Sequence, residues 1–361
     1  MSSTTSTSEL FLYRWDLAES AGVIRTNVSD TIRRTIPGDL GLVIQFNPSH
    51  IKNKRPVDKQ LLQSQPHQPF VKPTESSFDF TKVKRAELLG GLSFVTDNDD
   101  QLPSVQSVEV GSDNEVEHFV LVNVAPLVRG HLLFVLELSR VKSQQMTKEF
   151  LLYALSISHT LHREDFALGF NSTGAWSSVN HFHLQGYFFP PMGDATRANF
   201  PVAAQHREEI FQVGGAIVKC LPSWRTTCYV IEPEDAVKDA VHVVHIAWAL
   251  LELLQARGIP HNLLVVGTVL FVFPRQPQCE NGVGMLFSDK SLDDSAMVYA
   301  GRLRVAVAEL SGLIVAGDSV AYENLTEEMF NSILRREVSL SADHEVELVA
   351  AWKAKLGITA D

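Results

Sequence analysis

His181-Phe182-His183-Leu184-Gln185-Gly186-Tyr187-Phe188-Phe189, closed by Pro190-Pro191, is the stretch that decides how this chain is read. Aromatic residues are dense in it and polar and apolar residues alternate, so a half-buried strand is predicted. Side chains in a strand alternate between its two faces, which puts His181, His183 and Gln185 on one side. Phe182 and Leu184 then point into a core. Next-but-one residues lie roughly 6.5–7 Å apart, close enough for two imidazoles and an amide to surround one phosphate.

Three readings of the triplet are open. It is a polar strand face with its histidines bonded to neighbours, or a His-x-His pair offered to a metal such as zinc. The third is a nucleophilic histidine attacking phosphorus, with the flanking groups holding oxygens. The run Gly169-Phe170-Asn171-Ser172-Thr173-Gly174-Ala175 just upstream favours the third. Such a turn can present backbone N–H groups and hydroxyls to phosphate oxygens, although an ordinary turn has the same composition.

Composition bounds the answer. A chain of 361 residues, 45% hydrophobic, can bury a large core as two domains or two fused halves. A net charge of −11 argues against a general nucleic-acid or anionic-membrane binder, while leaving room for a nucleotide held by local cations. Cys220, Cys228 and Cys279 lack Cys-x-x-Cys spacing, which fits a reducing compartment; no apolar run is long enough to span a membrane. Met1 to Ser8 is Ser/Thr-rich, and residues 1–15 are assigned to a disordered tail, ahead of halves spanning 16–200 and 201–361. The cytosol is the expected compartment.

Gly41 to Phe46 reads as a strand running into the cationic segment Asn47-Pro48-Ser49-His50-Ile51-Lys52-Asn53-Lys54-Arg55-Pro56, either a site for a diphosphate or a solvated basic loop. Thr96 to Glu117 reads as an acidic loop. Phe119–Val124 and Leu132–Leu136 form a predicted antiparallel hairpin, and Met146–His162 has helical spacing. In the second half a helix is expected over Asp235–Ala256, then two strands turning at Gly267-Thr268. Two terminal helices follow the signals Asn324-x-x-Glu327 and Ser341-x-x-His344. His242 and His245 share a helix face without a third ligand nearby. Hairpins with intervening helices argue for an α+β fold.

With these residues on the page, the chain resembles the GDP-hexose phosphorylases of the histidine triad superfamily. Leu168 to Gln185 resembles that family's signature almost throughout. Val122-Asn123-Val124-Ala125-Pro126 with Gly130-His131 is similar to its upstream hairpin, Phe78 to Val83 to its segment before the core, and Lys54-Arg55-Pro56 to its basic loop. Weaker similarity runs through Pro260 to Leu263 and Glu309-Leu310-Ser311-Gly312 to Glu337-Val338-Ser339. Leu313 stands where relatives often carry histidine, and Pro274 to Met297 is poorly similar.

The resemblance implies an antiparallel sheet with flanking helices in two fused halves, as in galactose-1-phosphate uridylyltransferase. It also implies phosphorolysis of a GDP-hexose by inorganic phosphate, without metal or cofactor; the oligomeric state stays open, with a homodimer suggested by the tendency of related transferases to pair. His183 matches the nucleophile, His181 an orienting residue, and Gln185 an amide that can hold a phosphate oxygen but cannot shuttle a proton. Asn171, Ser172 and Gly174 are expected to cradle phosphates, with Asn47, Arg55 and Lys82 as further nucleotide or phosphate ligands. The pattern leans towards the glucose-specific enzyme. The rivals are a GDP-L-galactose phosphorylase, another nucleotidyltransferase or nucleotide hydrolase of the superfamily, a metal-dependent hydrolase, and a non-catalytic guanine-nucleotide regulator.

Overall fold

Hairpins that pair edge to edge produce one large antiparallel sheet. The computed structural model describes residues 6–53, 77–96, 98, 100–111, 116–161, 163–192, 199–236, 238–277 and 303–358. Among these, eleven strands run in the order β4 (Ser104–Val108), β3 (Leu88–Val95), β5 (His118–Val122), β6 (Leu132–Val135), β8 (Leu184–Phe188), β7 (Phe166–Asn171), β12 (His261–Val266), β13 (Val269–Pro274), β11 (Tyr229–Pro233), β10 (Ala216–Cys220) and β9 (Glu208–Val213). Each half contributes a strand, a long helix and a closing hairpin in that sequence: β6, α3 (Lys148–Leu161), β7 and β8 in the first, β11, α4 (Ala240–Ala256), β12 and β13 in the second. The halves meet where β7 pairs with β12, Asn171 opposite Asn262. They therefore share one sheet.

The two faces of this sheet are covered differently. On one, α1 (Thr7–Ser20), α3, α4 and α8 (Ala342–Lys355) bury their apolar stripes in a single core that includes Phe182 and Leu184. Trp352 seals it, its indole N–H donating to the Ile246 carbonyl at 2.9 Å. On the other face lies a small sheet of β1 (Ile32–Thr35), β2 (Val43–Phe46) and β14 (Leu313–Val315), the last parallel to β2. The short helices α2 (Pro48–Asn53), α5 (Val307–Leu310), α6 (Ser319–Asn324) and α7 (Glu327–Ile333) accompany it. Tyr187 joins this second core, so the Tyr187 face of β8 looks towards the small sheet.

Several expectations change. The disordered tail over residues 1–15 is not what folds from Ser6 on. Ser6 and Glu9 form a reciprocal capping box that starts α1, and Phe11 and Trp15, four residues apart, are buried in the main core. The Ser/Thr-rich opening hides this because the apolar pair comes after it. Within the acidic stretch, Ser104–Val108 is a strand paired with β3. Thr326, not Asn324, caps α7, whereas Ser341 caps α8 through the His344 N–H as expected. Among the described residues no helix is long and apolar enough to cross a membrane.

Trp15 is fully buried. Trp15→Ala is expected to destabilise the protein by about 3–5 kcal/mol, read from the midpoint of chemical denaturation. A change below about 0.5 kcal/mol, the range of exposed sites, would restore the tail.

Candidate active site

The segment carrying the histidines does not lie in the strand. β8 begins only at Leu184, and His181, Phe182 and His183 form its extended approach. They leave the sheet because another partner replaces β6. Phe182 N–H donates to the Lys142 carbonyl at 2.7 Å. The buried side-chain amide of Gln144 then takes up His183, accepting its N–H at 2.9 Å and donating to its carbonyl at 3.0 Å. The same amide nitrogen donates to the Asn171 carbonyl at 3.1 Å. Gln144 thus imitates a strand where none is present, and sequence reading missed it because nothing local distinguishes it.

This clamp sets the histidine's chemistry. His183 Nδ1 lies 2.8 Å from the His181 carbonyl oxygen, which can only accept, so Nδ1 carries the proton and the lone pair of the neutral ring sits on Nε2. His181 is fully buried and its own Nδ1 accepts the Phe80 N–H at 3.0 Å. Burial pushes its pKa down to about 4, aided by His183 and opposed by Asp79. It does not line the cavity; it positions His183 through its carbonyl and through Phe80, whose ring lies 5.5 Å from one imidazole and 5.1 Å from the other.

His183 and Gln185 open into a cavity of about 460 Å³, within the usual range of ligand pockets, roughly 300–1,000 Å³. Two amides in its wall have their oxygens occupied by protein donors. Asn171 Oδ1 accepts from Asn262 Nδ2 at 2.6 Å and from the Val307 N–H at 3.0 Å. Gln185 Oε1 accepts from the Tyr187 hydroxyl at 2.5 Å, with His131 Nε2 at 3.3 Å. Because the Leu127 N–H donates to His131 Nδ1 at 3.1 Å, the neutral His131 ring must hold its proton on Nε2 and is a donor to Gln185. The Asn123 amide nitrogen, 3.2 Å from that Nε2, then stands beside the N–H without bonding it. With both oxygens held, each amide has its NH₂ to offer a ligand.

The remaining expected ligands fall into two groups. Ser172 and Gly174 tie the loop to the second half. Ser172 exchanges bonds with the backbone of His261, and Gly174, at φ 79°, packs where a Cβ would come within 3.1 Å of Pro260. Asn47 is buried and capping: its oxygen accepts from the Ser49 and His50 N–H groups, its nitrogen donates to Asn27 and Thr31. Lys82 lies on Asp79 at 3.2 Å and away from the cavity wall. None of these four lines the cavity, and Arg55 lies outside the described residues. The wall's cations are Arg25, Lys52 and Arg304, among the described residues. His50, His131, Glu309 and Arg304 were not picked out as site residues. His50 had only the signal of the cationic segment 47–56, His131 and Glu309 only that of stretches similar to the family, and Arg304 none.

No three His, Cys, Asp or Glu side chains converge as a metal site among the described residues. His242 meets Asp239 at 3.3 Å on an exposed helix face.

Models of the two GDPGP1-like domains match this chain, the N-terminal one over residues 8–187 and the C-terminal one over 201–354. The chain belongs to the GDPGP1-like family. It is 28% identical over 350 residues to GDP-L-galactose phosphorylase 2 of Arabidopsis thaliana, covering 95% of this chain and 74% of that protein. It is 26% identical over 330 residues to GDP-D-glucose phosphorylase 1 of Danio rerio, covering 89% and 83%. Yeast Ap4A phosphorylase Apa2 in complex with Ap4A shares the fold at a TM-score of 0.59 and 17% identity, over 91% of this chain and 96% of that one.

His181 and His261 both have pKa values lowered by burial to about 4 from the ordinary 6.5. Unfolding lets each ring take up a proton below pH 6.5, so the unfolded state binds more protons between about 6.5 and 4. Stability is therefore full above that window and falls as pH decreases through it, by on the order of 1.4 kcal/mol per unit for each ring. Denaturation midpoints measured from pH 7 to 4.5 check this, and His261→Gln is expected to flatten the slope; an unchanged slope would refute the assignment.

Proposed function

We propose that this protein is a GDP-hexose phosphorylase working through a guanylylated His183. The observation that carries the reading is the His183 tautomer, with its Nε2 lone pair in a cavity whose two amides have only N–H groups to give. In the first half-reaction Nε2 attacks the α-phosphorus and forms an N–P bond. The bond from that phosphorus to the bridging oxygen breaks, and its electron pair leaves on hexose 1-phosphate. That leaving group is an anion of modest basicity, so no proton donor is required.

The ring that bears the GMP unit keeps its Nδ1 proton and becomes cationic, and the His181 carbonyl stabilises it. Inorganic phosphate then attacks the same phosphorus, the N–P bond breaks back onto Nε2, and GDP leaves. In both transition states charge spreads over the nonbridging oxygens. The fixed N–H groups of Gln185 and Asn171 and the Arg25, Lys52 and Arg304 cations suit that charge without reorganising. Gln185 has no proton to exchange with a water, which favours phosphate as acceptor over hydrolysis.

Relatives named for both sugars support a GDP-hexose substrate. Similarity over nearly the whole chain leans to the plant GDP-L-galactose enzymes over the glucose enzyme expected from the sequence. GDP-L-galactose is accordingly the first substrate to assay, with GDP-D-glucose beside it.

The expected outcome in EDTA is GDP and hexose 1-phosphate formed only when phosphate is present. His183→Ala abolishes this, and Gln185→Ala lowers kcat by about 100- to 1,000-fold, the cost of one oxyanion donor. GMP released without phosphate would make the protein a hydrolase, loss of turnover in EDTA a metal enzyme, and GDP binding without turnover a regulator.

A further inference from the structure

A second cavity lies beside the first and shares Arg25 with it. It is a groove of about 770 Å³, within the size range of small-ligand sites, and Arg25, Arg33, Arg129 and Arg163 line it against Glu19 and Asp165. The chain between α1 and β1 forms one side, with the β5–β6 turn at Val128 and Arg129. The exit of β8 forms the other, where Phe188, Phe189 and Pro190, all buried, make an apolar wall.

Two of the four arginines are neutralised. Arg129 donates from Nε and Nη2 to both oxygens of Asp16, and Arg163 does the same to Asp165. Glu19 adds its charge to Arg129, whose pKa the Asp16 hydrogen bond raises first. Arg33 and Arg25 are not neutralised. Half-buried Arg33 bonds neutral acceptors, Gln45 Oε1 at 2.9 Å from Nε and the Leu127 carbonyl at 3.5 Å from Nη2. Burial pushes its pKa down, and no carboxylate opposes that shift. Arg25 is fixed by its backbone, the N–H donating to the Val124 carbonyl and its carbonyl accepting from the Asn53 amide. Its guanidinium has no acidic partner among the described residues. A cation drawn out of water without an acid beside it carries a cost that a bound anion offsets.

We propose that this groove is a second ligand site, taking a phosphate monoester on a sugar-sized body, with Arg25 and Arg33 holding the phosphate together. A phosphate monoester carries about −1.5 to −2 at pH 7, which two guanidiniums match and one carboxylate does not. The wall at the β8 exit suits the carbon face of a sugar ring.

Arg25 gives the groove a bearing on the first cavity, an effect that rests on the GDP-hexose phosphorylase reading. An anion in the groove draws on a cation that the nucleotide also uses and sets its own charge across a shared wall. The two ligands weaken each other, by the same factor in both directions. Both sites can be filled at once, so the weakening reaches a limit.

The probe is glucose 6-phosphate, titrated calorimetrically into the full chain at rising fixed concentrations of GDP, with glucose and gluconate as its neutral and carboxylate counterparts. One equivalent of the phosphate ester should bind even when GDP is saturating. Its Kd should rise by about fivefold, the low end of coupling between sites, and no further with more GDP. Arg33→Gln is expected to weaken the probe by about 10- to 100-fold, the scale of hydrogen bonds to a charged group. GDP affinity without the probe should change by no more than about twofold in that variant, since Arg33 does not line the first cavity. Glucose should give no binding heat, and gluconate should bind at least about tenfold more weakly than the phosphate ester.

A Kd that climbs in proportion to GDP makes the probe a competitor inside the first cavity and overturns the proposal. So does binding that Arg33→Gln leaves intact, gluconate held as tightly as the phosphate ester, or no heat from the ester at all. If the variant does not fold, the GDP dependence on the wild type decides. A wild-type protein without affinity for GDP fails the phosphorylase reading instead, and the groove is then judged by the Arg33→Gln loss and the gluconate comparison.

Discussion

One side-chain amide holds the site together. At His183 the chain has left β8's pairing with β6, and its backbone N–H and carbonyl would face a buried space without partners. Gln144 supplies both, and its nitrogen also bonds the end of β7 at Asn171. A buried peptide left unpaired would cost about 1–3 kcal/mol for each group, so the segment has strong reason to stay where Gln144 puts it. From that placement follows the short contact of the His183 ring with the His181 carbonyl, and from the contact the tautomer. Backbone satisfaction, tautomer and, on the proposed function, the nucleophile are successive consequences of one residue.

The same logic recurs in the amides that face the cavity. An amide is both donor and acceptor, and a site that must stabilise anionic oxygens has use for the donor half only. Asn171 loses its acceptor half to Asn262 and to the backbone of α5, Gln185 to Tyr187 and to His131. Each arrangement costs buried polar groups that a plain core would omit, and each is fully paired at the oxygen. Preorganised N–H groups of this kind stabilise charge that develops in a transition state without first turning towards it. On the proposed function they also let a chain of net charge −11 receive a polyanion with few local cations.

What could be read in the sequence is what repeats over short distances. Period-two alternation located β8 and sent Phe182 and Leu184 to the core, and the β5–β6 hairpin and both long helices declared themselves by spacing. The clustering of His183, Gln185 and Asn171 was also visible. What escaped depends on residues far apart in the chain. Gln144 lies 39 residues before His183, and Val307 lies 136 after Asn171. Small polar residues in a turn look like phosphate ligands from composition alone. Ser172 and Asn47 instead satisfy neighbouring backbone, which is the commoner fate of such residues when buried, and Gly174 packs against Pro260. The strand was predicted to begin three residues too early because alternation continues through an extended segment whether or not a neighbour pairs with it.

Two similar halves share the sheet, yet only one carries the histidines, and the difference lies in one connection. In the first half β7 and β8 are joined by residues 172–183, a loop long enough to leave the sheet, cross beside Pro260 and return through Gln144's clamp. In the second, β12 and β13 are joined by Gly267-Thr268 alone, with Gly267 at φ 59°. A two-residue turn keeps both strands paired to their ends and offers no segment on which a nucleophile could stand. The second half serves by support. Its β12 sets Asn262 against Asn171, the buried Arg275 bonds Asn262 in turn, and the chain after β13 returns as α5 to close the cavity. Asn262 receives the guanidinium N–H on its oxygen, so its NH₂ is directed at Asn171 and at the Ala175 carbonyl. The orientation of an amide in the first half is thus set by a cation buried in the second, which makes the fused pair one functional unit.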